Sequence, residues 1–510
     1  MFLLIAPLIL ILLYLYFSKN HDYWAKRGVK HDTPIPIFGN HLRCVLTMKS
    51  VTEVTCELYK KYAKEKIIGY YRGRTPALII RDPEIVKRVM CSDFWSFYNR
   101  GAGRNPEQES LMLNVFHGDG DTWKLLRQHT SSAYTLAKLK AMFPLIIQCA
   151  EDLQKVVKTV AQKKGSFNAV DLMARFTIDF IGACGFGVDV NSMNTENSIF
   201  KKLGKLIFTK TAIERLKQAM YELFPELRRY IYVSDREILL TLNKLVSAIL
   251  EQRNNKPSGR NDYIDLLLEL EKNGKMRGKS LEKVNPDNSP MDVEMEMDFK
   301  LFVANVALFF GAGFETSSSA MSYTLHELAF YPQLQKEIQE EIDEVLPKYD
   351  GKLCYDSVSR MPKLARAFKE AMRKFPAGGV LYRVCTKRYT IPGTGVTIDP
   401  GVEIFIPAQA LQMDEQYHEN PEEFNPERFL PENESKMGKY VYLPFGEGQR
   451  GCIGSRLGEM QSLAGLAALL QIASVSPCSA TVRQPRPDPR AYFVQGFADG
   501  LPLTLTLRDK

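Results

Sequence analysis

The run PFGEGQRGCIG, residues 444–454, holds a single thiol, Cys452, among four glycines, and two chemistries fit it. Spaced as Gly446-x-Gly448-x-x-Gly451, it could cradle a dinucleotide pyrophosphate; read around Cys452, it is a glycine-rich loop presenting a lone thiolate. The pyrophosphate reading expects an acidic residue about 20 positions further on to hold the ribose. No Asp or Glu lies between Glu459 and Asp488, and too little chain remains for the other strands. A thiolate fits better, because Cys452 opens the helical run SRLGEMQSLAGLAALLQI, where unpaired N–H groups and the positive dipole end favour a charged sulfur. A cysteine nucleophile would want a nearby histidine, and the seven histidines give no such pairing; iron ligation needs only the one thiolate.

Two further pairs could do chemistry. Glu315 and Thr316 are the odd members of the apolar run DFKLFVANVALFFGAGFETSSSAMSYTLHELAFYP, which predicts one long buried helix ended by Pro332. A threonine there can hydrogen-bond back to the carbonyl of Ala312, four residues earlier, locally opening the helix where Gly311 and Gly313 ease deformation. Stepping back from Thr316 by four and three puts Ala312, Phe309, Asn305 and Phe302 on one stripe, mainly apolar with Asn305 as a polar contact. Glu370 and Arg373 sit at i and i+3 of another helical run, positioned to pair; alone they would be an ordinary solvated helix pair.

The 510 residues exceed what one core usually organises, about 250 to 300, so two lobes are expected. Helical patterns dominate. Strand-like runs occur at 66–82 and 389–407 and in the C-terminal LPLTLTLRD, and they do not alternate with helices as in a doubly wound sheet. The fold class is therefore mainly α with small β-sheets. Residues 271–297 are polar and turn-rich and read as a surface loop before the long helix.

Residues 1–18 form an uncharged apolar stretch just long enough to span a bilayer, followed by Lys19, Lys26, Arg27 and Lys30, the pattern of a retained signal-anchor with the rest of the chain cytosolic. The linker at 19–40, with Pro34 and Pro36 before Gly39, reads as a hinge, and 41–510 as the catalytic body. Nine widely spaced cysteines without a C-x-x-C suit a reducing compartment rather than disulfides or zinc. The net charge of +8 has no long basic run, which disfavours nucleic acid and suits a membrane surface or an acidic partner.

FGEGQRGCIG resembles, at every defining position, the haem-ligand loop F-x-x-G-x-R-x-C-x-G of the cytochrome P450 superfamily. WKLLR (123–127), AGFET (312–316), EAMR (370–373) and PERF (426–429) precede it in the family's order, so the resemblance covers nearly the whole chain. It implies a helix-rich lobe beside a smaller β-rich one, with haem between the long central helix and the Cys loop. Cys452 would be the iron ligand, since a thiolate pushes electron density onto iron and favours O–O cleavage. Phe445 would pack beside the sulfur, with Gly446, Gly454 and Ala312 against the flat ring. Trp123, Arg127, Arg383 and Arg450 would hold the propionates, and Glu315 with Thr316 would deliver protons to bound dioxygen. Glu370, Arg373 and Arg428 would brace the core. Phe116 and Phe497 would join Phe302, Asn305 and Phe309 around the substrate.

The implied activity is NADPH- and O2-dependent monooxygenation of small apolar compounds at the endoplasmic reticulum membrane, with electrons from NADPH-cytochrome P450 reductase and cytochrome b5 as a further partner. FYNRG, FHGDGDTWK and PGTGVTI most resemble the microsomal arthropod group that metabolises toxins and insecticides. A haem-thiolate isomerase or dehydratase needing no reductase, and a membrane-tethered haem binder, are the rival readings; the intact Glu315–Thr316 pair speaks against the first. Lys124, Lys439 and Arg456 would help dock an acidic reductase. KFPAGG, LQMDEQ and SSAYT depart from the family's common forms and put pocket shape and proximal docking in doubt.

Overall fold

The computed structural model describes residues 12–101, 109–163, 165–190, 192–193, 198–208, 210–228, 230–233, 236–491 and 493–509. The first eleven residues of the expected anchor lie outside them. Most of the principal helices start at a side chain that accepts one of the first free N–H groups. Ser50 with Glu53 forms a capping box on α1 (Val51–Lys61). Following α2 (Gly120–Thr130), Thr135 opens α3 (Leu136–Gln162) and Asn168 opens α4 (Ala169–Ile181). Thr211 with Glu214 boxes α5 (Ala212–Leu223), and Asp262 caps α6 (Tyr263–Lys272). Asp298 accepts from the Leu301 N–H at 2.8 Å to start α7 (Phe299–Phe330). Proline opens α8 (Pro332–Val345) and α9 (Pro362–Lys374), and α10 (Ser455–Ile472) begins directly after the Cys loop.

The long apolar run is one continuous helix that stops just short of Pro332, as its sequence predicts. The turn at Thr316 is not opened, although the threonine donates to the Ala312 carbonyl at 2.5 Å. In α7 the turns at 301–306 and 317–329 are buried, the stretch 311–316 between them stays accessible, and α4, α9 and α10 pack around the helix in the main helical core. A helix that apolar and that enclosed is held by tertiary burial, not by an amphipathic face.

The strands are β1 (Ile67–Arg72), β2 (Thr75–Ile80), β3 (Ser166–Asn168), β4 (Met276–Val284), β5 (Pro290–Met295), β6 (Leu381–Val384), β7 (Tyr389–Thr390), β8 (Thr397–Ile398), β9 (Glu403–Ile406), β10 (Ala473–Pro477) and β11 (Pro502–Leu507). The largest sheet has the order β1-β2-β9-β6, with β2 and β9 parallel and its other pairs antiparallel; Ile404 of β9 faces Leu78 on one side and Arg383 on the other. It has its own apolar clusters, which makes it the smaller, β-rich lobe. The strand-like runs at 66–82 and 389–407 and the C-terminal strand all form.

Two expectations are corrected. Residues 271–297 are not a plain surface loop: β4 and β5 form a hairpin that lies on α2. Asp121 of α2 accepts from the Ser280 hydroxyl at 2.6 Å and the Leu281 N–H at 2.5 Å, and Lys124 donates to the Lys279 carbonyl at 2.5 Å. Charged side chains on the hairpin hide its alternation from hydropathy.

The proline-bearing linker is not a free hinge. Trp24 is fully buried, its Nε1 donating to the Tyr70 carbonyl at 3.0 Å; Arg27 pairs with Asp399 at 2.6 Å, and bridges join His31 to Gly69 and Gly39 to Arg72. Gly39 has φ +61°, and a Cβ there would stand 2.4 Å from the carbonyl oxygens of Tyr71 and Gly73, so the strap can lie this close only as glycine.

Candidate functional site

The Cys loop is built by close approach. Gly446 and Gly448 have φ of 66° and 70°, and a Cβ on Gly448 would stand 2.1 Å from the Met90 carbonyl oxygen. That glycine lets the loop lie against the turn at 88–92. The Cys452 N–H donates to the Phe445 carbonyl at 2.8 Å, closing the loop so that the thiol is exposed at its edge while Phe445 is partly buried against the helical core. Residues 439–445 form no strand, so the strand–turn–helix setting a pyrophosphate needs is missing. Cys452 faces open space, yet the protein around its sulfur takes water from the thiolate and pushes the thiol up, while the Gly454 N–H, Arg127 and Arg100 pull it the other way.

Beside this loop guanidinium groups gather. Arg127 donates to the Gly451 carbonyl at 2.9 Å. Arg450, 3% exposed, donates to the Tyr98 carbonyl at 2.9 Å and to Asp119 at 3.3 Å, and its guanidinium lies 4.1 Å from the centre of the Trp123 ring. Arg383, also 3% exposed, donates to the Tyr382 carbonyl at 2.7 Å. Sequence reading missed Arg100, which donates to the carbonyls of Arg450 and Phe116, both at 2.9 Å. The signal was the FYNRG stretch, read only as a group resemblance. Asp119, which accepts from the Arg100 N–H at 3.0 Å, was missed as well.

Among the described residues Asp119 is the carboxylate that pairs with this group, and one carboxylate cannot neutralise it. Burial, then Arg100 and Arg383, push Arg450 down to about 8, with Asp119 opposing; burial and Arg100 push Arg383 down to about 9. A guanidinium keeps its proton in a protein, so the stress is relieved by binding an anion rather than by ionisation. Nη1 of Arg450 and Nε of Arg383 are buried without a hydrogen-bond partner among the described residues. Together with the glycine cradle and the single thiol, these donors fit a flat ligand carrying acidic groups at one edge.

On α7, Thr316, Glu315 and Ala312 lie together, with Ala312 exposed and the other two partly so; Leu308 and Gly311 continue that accessible side. Burial, with Asp488 adding to it, pushes the Glu315 carboxyl up to about 8. The other stripe residues turn elsewhere. Phe309 stacks on Tyr263 at 4.5 Å, and Phe302 and Asn305 are buried. Asn305 donates to the Leu301 carbonyl at 2.8 Å and reaches the Leu113 carbonyl at 3.5 Å. Steps of four and three average 3.5 residues per turn, so on a straight helix they drift about 20° per heptad, here into the packed flank. Phe116 lies beside the arginine group and packs edge-on to Phe493 at 5.4 Å, whereas Phe497 is stacked on Phe375 at 4.3 Å.

Glu370 and Arg373 are fully buried and joined at 2.8 and 2.9 Å; Arg428 stands 3.4 Å from Glu370, and Arg373 also donates to the carbonyls of Gln412 and Pro421. Gln412 of the departing LQMDEQ stretch donates to the Met372 and Arg373 carbonyls and accepts from the Leu443 N–H, tying α9 to the chain entering the Cys loop. Glu370→Ala leaves two guanidiniums without their carboxylate, and a loss of about 3–5 kcal/mol is expected. Urea unfolding of the purified variant checks this; a change under about 1 kcal/mol would contradict it.

The family model described as Cytochrome P450 matches residues 29–496. Cytochrome P450 6B7 of Helicoverpa armigera is 34% identical over 491 residues, 96% of this chain and 95% of that one. Cytochrome P450 6a2 of Drosophila melanogaster is 36% identical over 492 residues (94% and 95%), and cytochrome P450 6k1 of Blattella germanica 33% over 507 (98% and 96%).

Proposed function

The chain belongs to the cytochrome P450 family, in the arthropod group of its relatives, and from that premise we propose that it oxidises small apolar xenobiotics, plant toxins or insecticides among them, at the endoplasmic reticulum membrane. It is a haem-thiolate monooxygenase: haem supplies dioxygen binding and activation, one oxygen atom entering the substrate and the other leaving as water.

Cys452 would hold the iron, Phe445 would shield the sulfur, and Gly446, Gly454 and Ala312 would let the ring lie flat. Trp123, Arg127, Arg383, Arg450 and Arg100 would take the propionates. The single observation that carries this assignment is the arginine group itself, which among the described residues has buried N–H donors without a partner and one paired carboxylate, Asp119. Thr316 would orient a proton donor toward the oxygen end of the site and Glu315 would supply the proton. The apolar character of the substrate is supported by Leu308 and Ala312 beside the acid–alcohol pair and by Phe116 at the arginine edge. Phe302, Asn305 and Phe309, which are buried, and Phe497, partly buried and stacked on Phe375, would form the walls behind that space.

Residues 12–17 continue the apolar N-terminal stretch as a helix with Leu12, Tyr14 and Leu15 more than half exposed, which supports residues 1–18 as an anchor. The strap at 19–40, held to the body by the buried Trp24, Val29 and Gly39, would then keep the catalytic body, 41–510, against the bilayer. NADPH-cytochrome P450 reductase, with cytochrome b5 as an auxiliary donor, would dock near the Cys loop, where Lys439 and Arg456 are exposed and Lys124 is engaged with the hairpin.

Full-length protein in vesicles with the reductase, NADPH and a panel of apolar plant toxins and insecticides tests the reading. Oxygenated product that requires both reductase and NADPH is expected. Conversion of peroxides without reductase, and no NADPH-dependent product, would favour the isomerase instead.

A further inference from the structure

Helix α10 leaves the Cys loop and crosses α7 through a seam of small contacts. A Cβ on Gly458 would lie 3.8 Å from the Ser317 hydroxyl; a Cβ on Gly465, two turns on, would lie 2.6 Å from the Phe176 ring and 3.2 Å from the Met321 sulfur. Between these glycines one polar side chain faces α7. Gln461 is 1% exposed, and its Nε2 donates to the Ser317 hydroxyl at 2.5 Å and reaches the Gly313 carbonyl at 3.4 Å. Its Oε1 is buried with no hydrogen-bond partner among the described residues.

A seam of this kind is most stable when apolar. An unpaired buried amide oxygen costs about 1–3 kcal/mol, and leucine, close to glutamine in size, would remove that cost. Folding stability therefore does not account for the amide. The groups it holds do suggest a role: Gly313 and Ser317 bracket Thr316, whose hydroxyl closes back on Ala312 in the same turn. Apolar packing holds that turn without direction; the amide fixed on α10 adds a directional tie on its flank.

We infer that Gln461 is a positioning residue for oxygen activation, bracing the Gly313–Ser317 turn from the helix that starts at the Cys loop, so that the proximal and distal sides of the site share one register. The inference rests on the proposed roles of Glu315 and Thr316. Loss of the brace lets the turn drift and misdirects proton delivery, so that dioxygen, having taken two electrons from NADPH and two protons, leaves as hydrogen peroxide instead of being cleaved to product and water.

The test uses full-length protein reconstituted with reductase and NADPH, reading peroxide released per NADPH consumed, and the melting temperature of the same preparations. Gln461→Leu is expected to raise the peroxide fraction at least about threefold while the melting temperature stays level or rises, a combination that a merely structural glutamine would not give. Thr316→Ala is the control. A raised fraction in Thr316→Ala but not in Gln461→Leu overturns the inference and leaves the proposed acid–alcohol role standing. An unchanged fraction in both overturns that role and the inference with it, and a raised fraction with a lowered melting temperature returns Gln461 to structure.

Discussion

Cys452→Ala is expected to give a folded protein with no thiolate-ligated haem: its reduced, carbon-monoxide-treated form lacks the strongly red-shifted Soret band of the parent, and product formation falls by at least roughly three orders of magnitude. The expectation of a folded protein follows from the geometry. The loop is held by the Cys452 N–H bond to Phe445, by the approach of Gly448 to Met90 and by Arg127 on the Gly451 carbonyl, none of which uses the sulfur. Cys452 is exposed and stands outside the buried core, so alanine there is not a core truncation. Far-ultraviolet circular dichroism and a urea midpoint close to the parent's are the controls. A thiolate-type band surviving in the variant would move the ligand elsewhere, and loss of fold would show that the sulfur, not the loop, holds this region.

The chemistry was more legible than the surroundings. A sulfur ligand needs one residue at one helix start, an acid–alcohol pair needs two adjacent positions, and the Glu370–Arg373 pair needs an i, i+3 spacing; each fits in a short window. The arginine group does not. Arg100, Asp119, Arg127, Arg383 and Arg450 come from four distant segments, and only the fold brings them together. In the stripe through Phe309 and Phe302, a repeat counted in fours and threes drifts on a straight helix, and Phe309 comes to stack on Tyr263. The β4–β5 hairpin was hidden by charge, since Lys279 and Asp292 hold it through exposed pairs and its docking runs through backbone groups to Asp121 and Lys124. Trp24 was read as part of a linker because proline signalled extension, which fits a packed strap as well as a free one.

Glu315 is the group whose ionisation should be visible in turnover. It lies on α7 one residue from Thr316, beside the exposed Ala312, and burial with the like charge of Asp488 holds its carboxyl up to about 8. Near neutrality it is therefore the acid form, able to donate, and its proton is lost as pH rises through that value. Product formation should be flat below the transition and decline above it. Glu315→Gln keeps size and hydrogen bonding but removes the transferable proton; a fall of about 10²-fold in coupled turnover is expected, with the alkaline decline gone from what remains. The sign of the stability linkage is opposite to that of a paired carboxylate. The folded state binds a proton that the unfolded chain releases near the ordinary carboxylate value, so this residue makes the fold less stable as pH rises from that range to about 8, and Glu315→Gln should flatten that slope. The two readouts separate function from fold. A flattened stability slope with an unchanged alkaline limb of turnover would place the titration at Glu315 but the proton delivery elsewhere, while loss of both would join them at one carboxyl, the donor that the Ala312–Thr316 turn is shaped to serve.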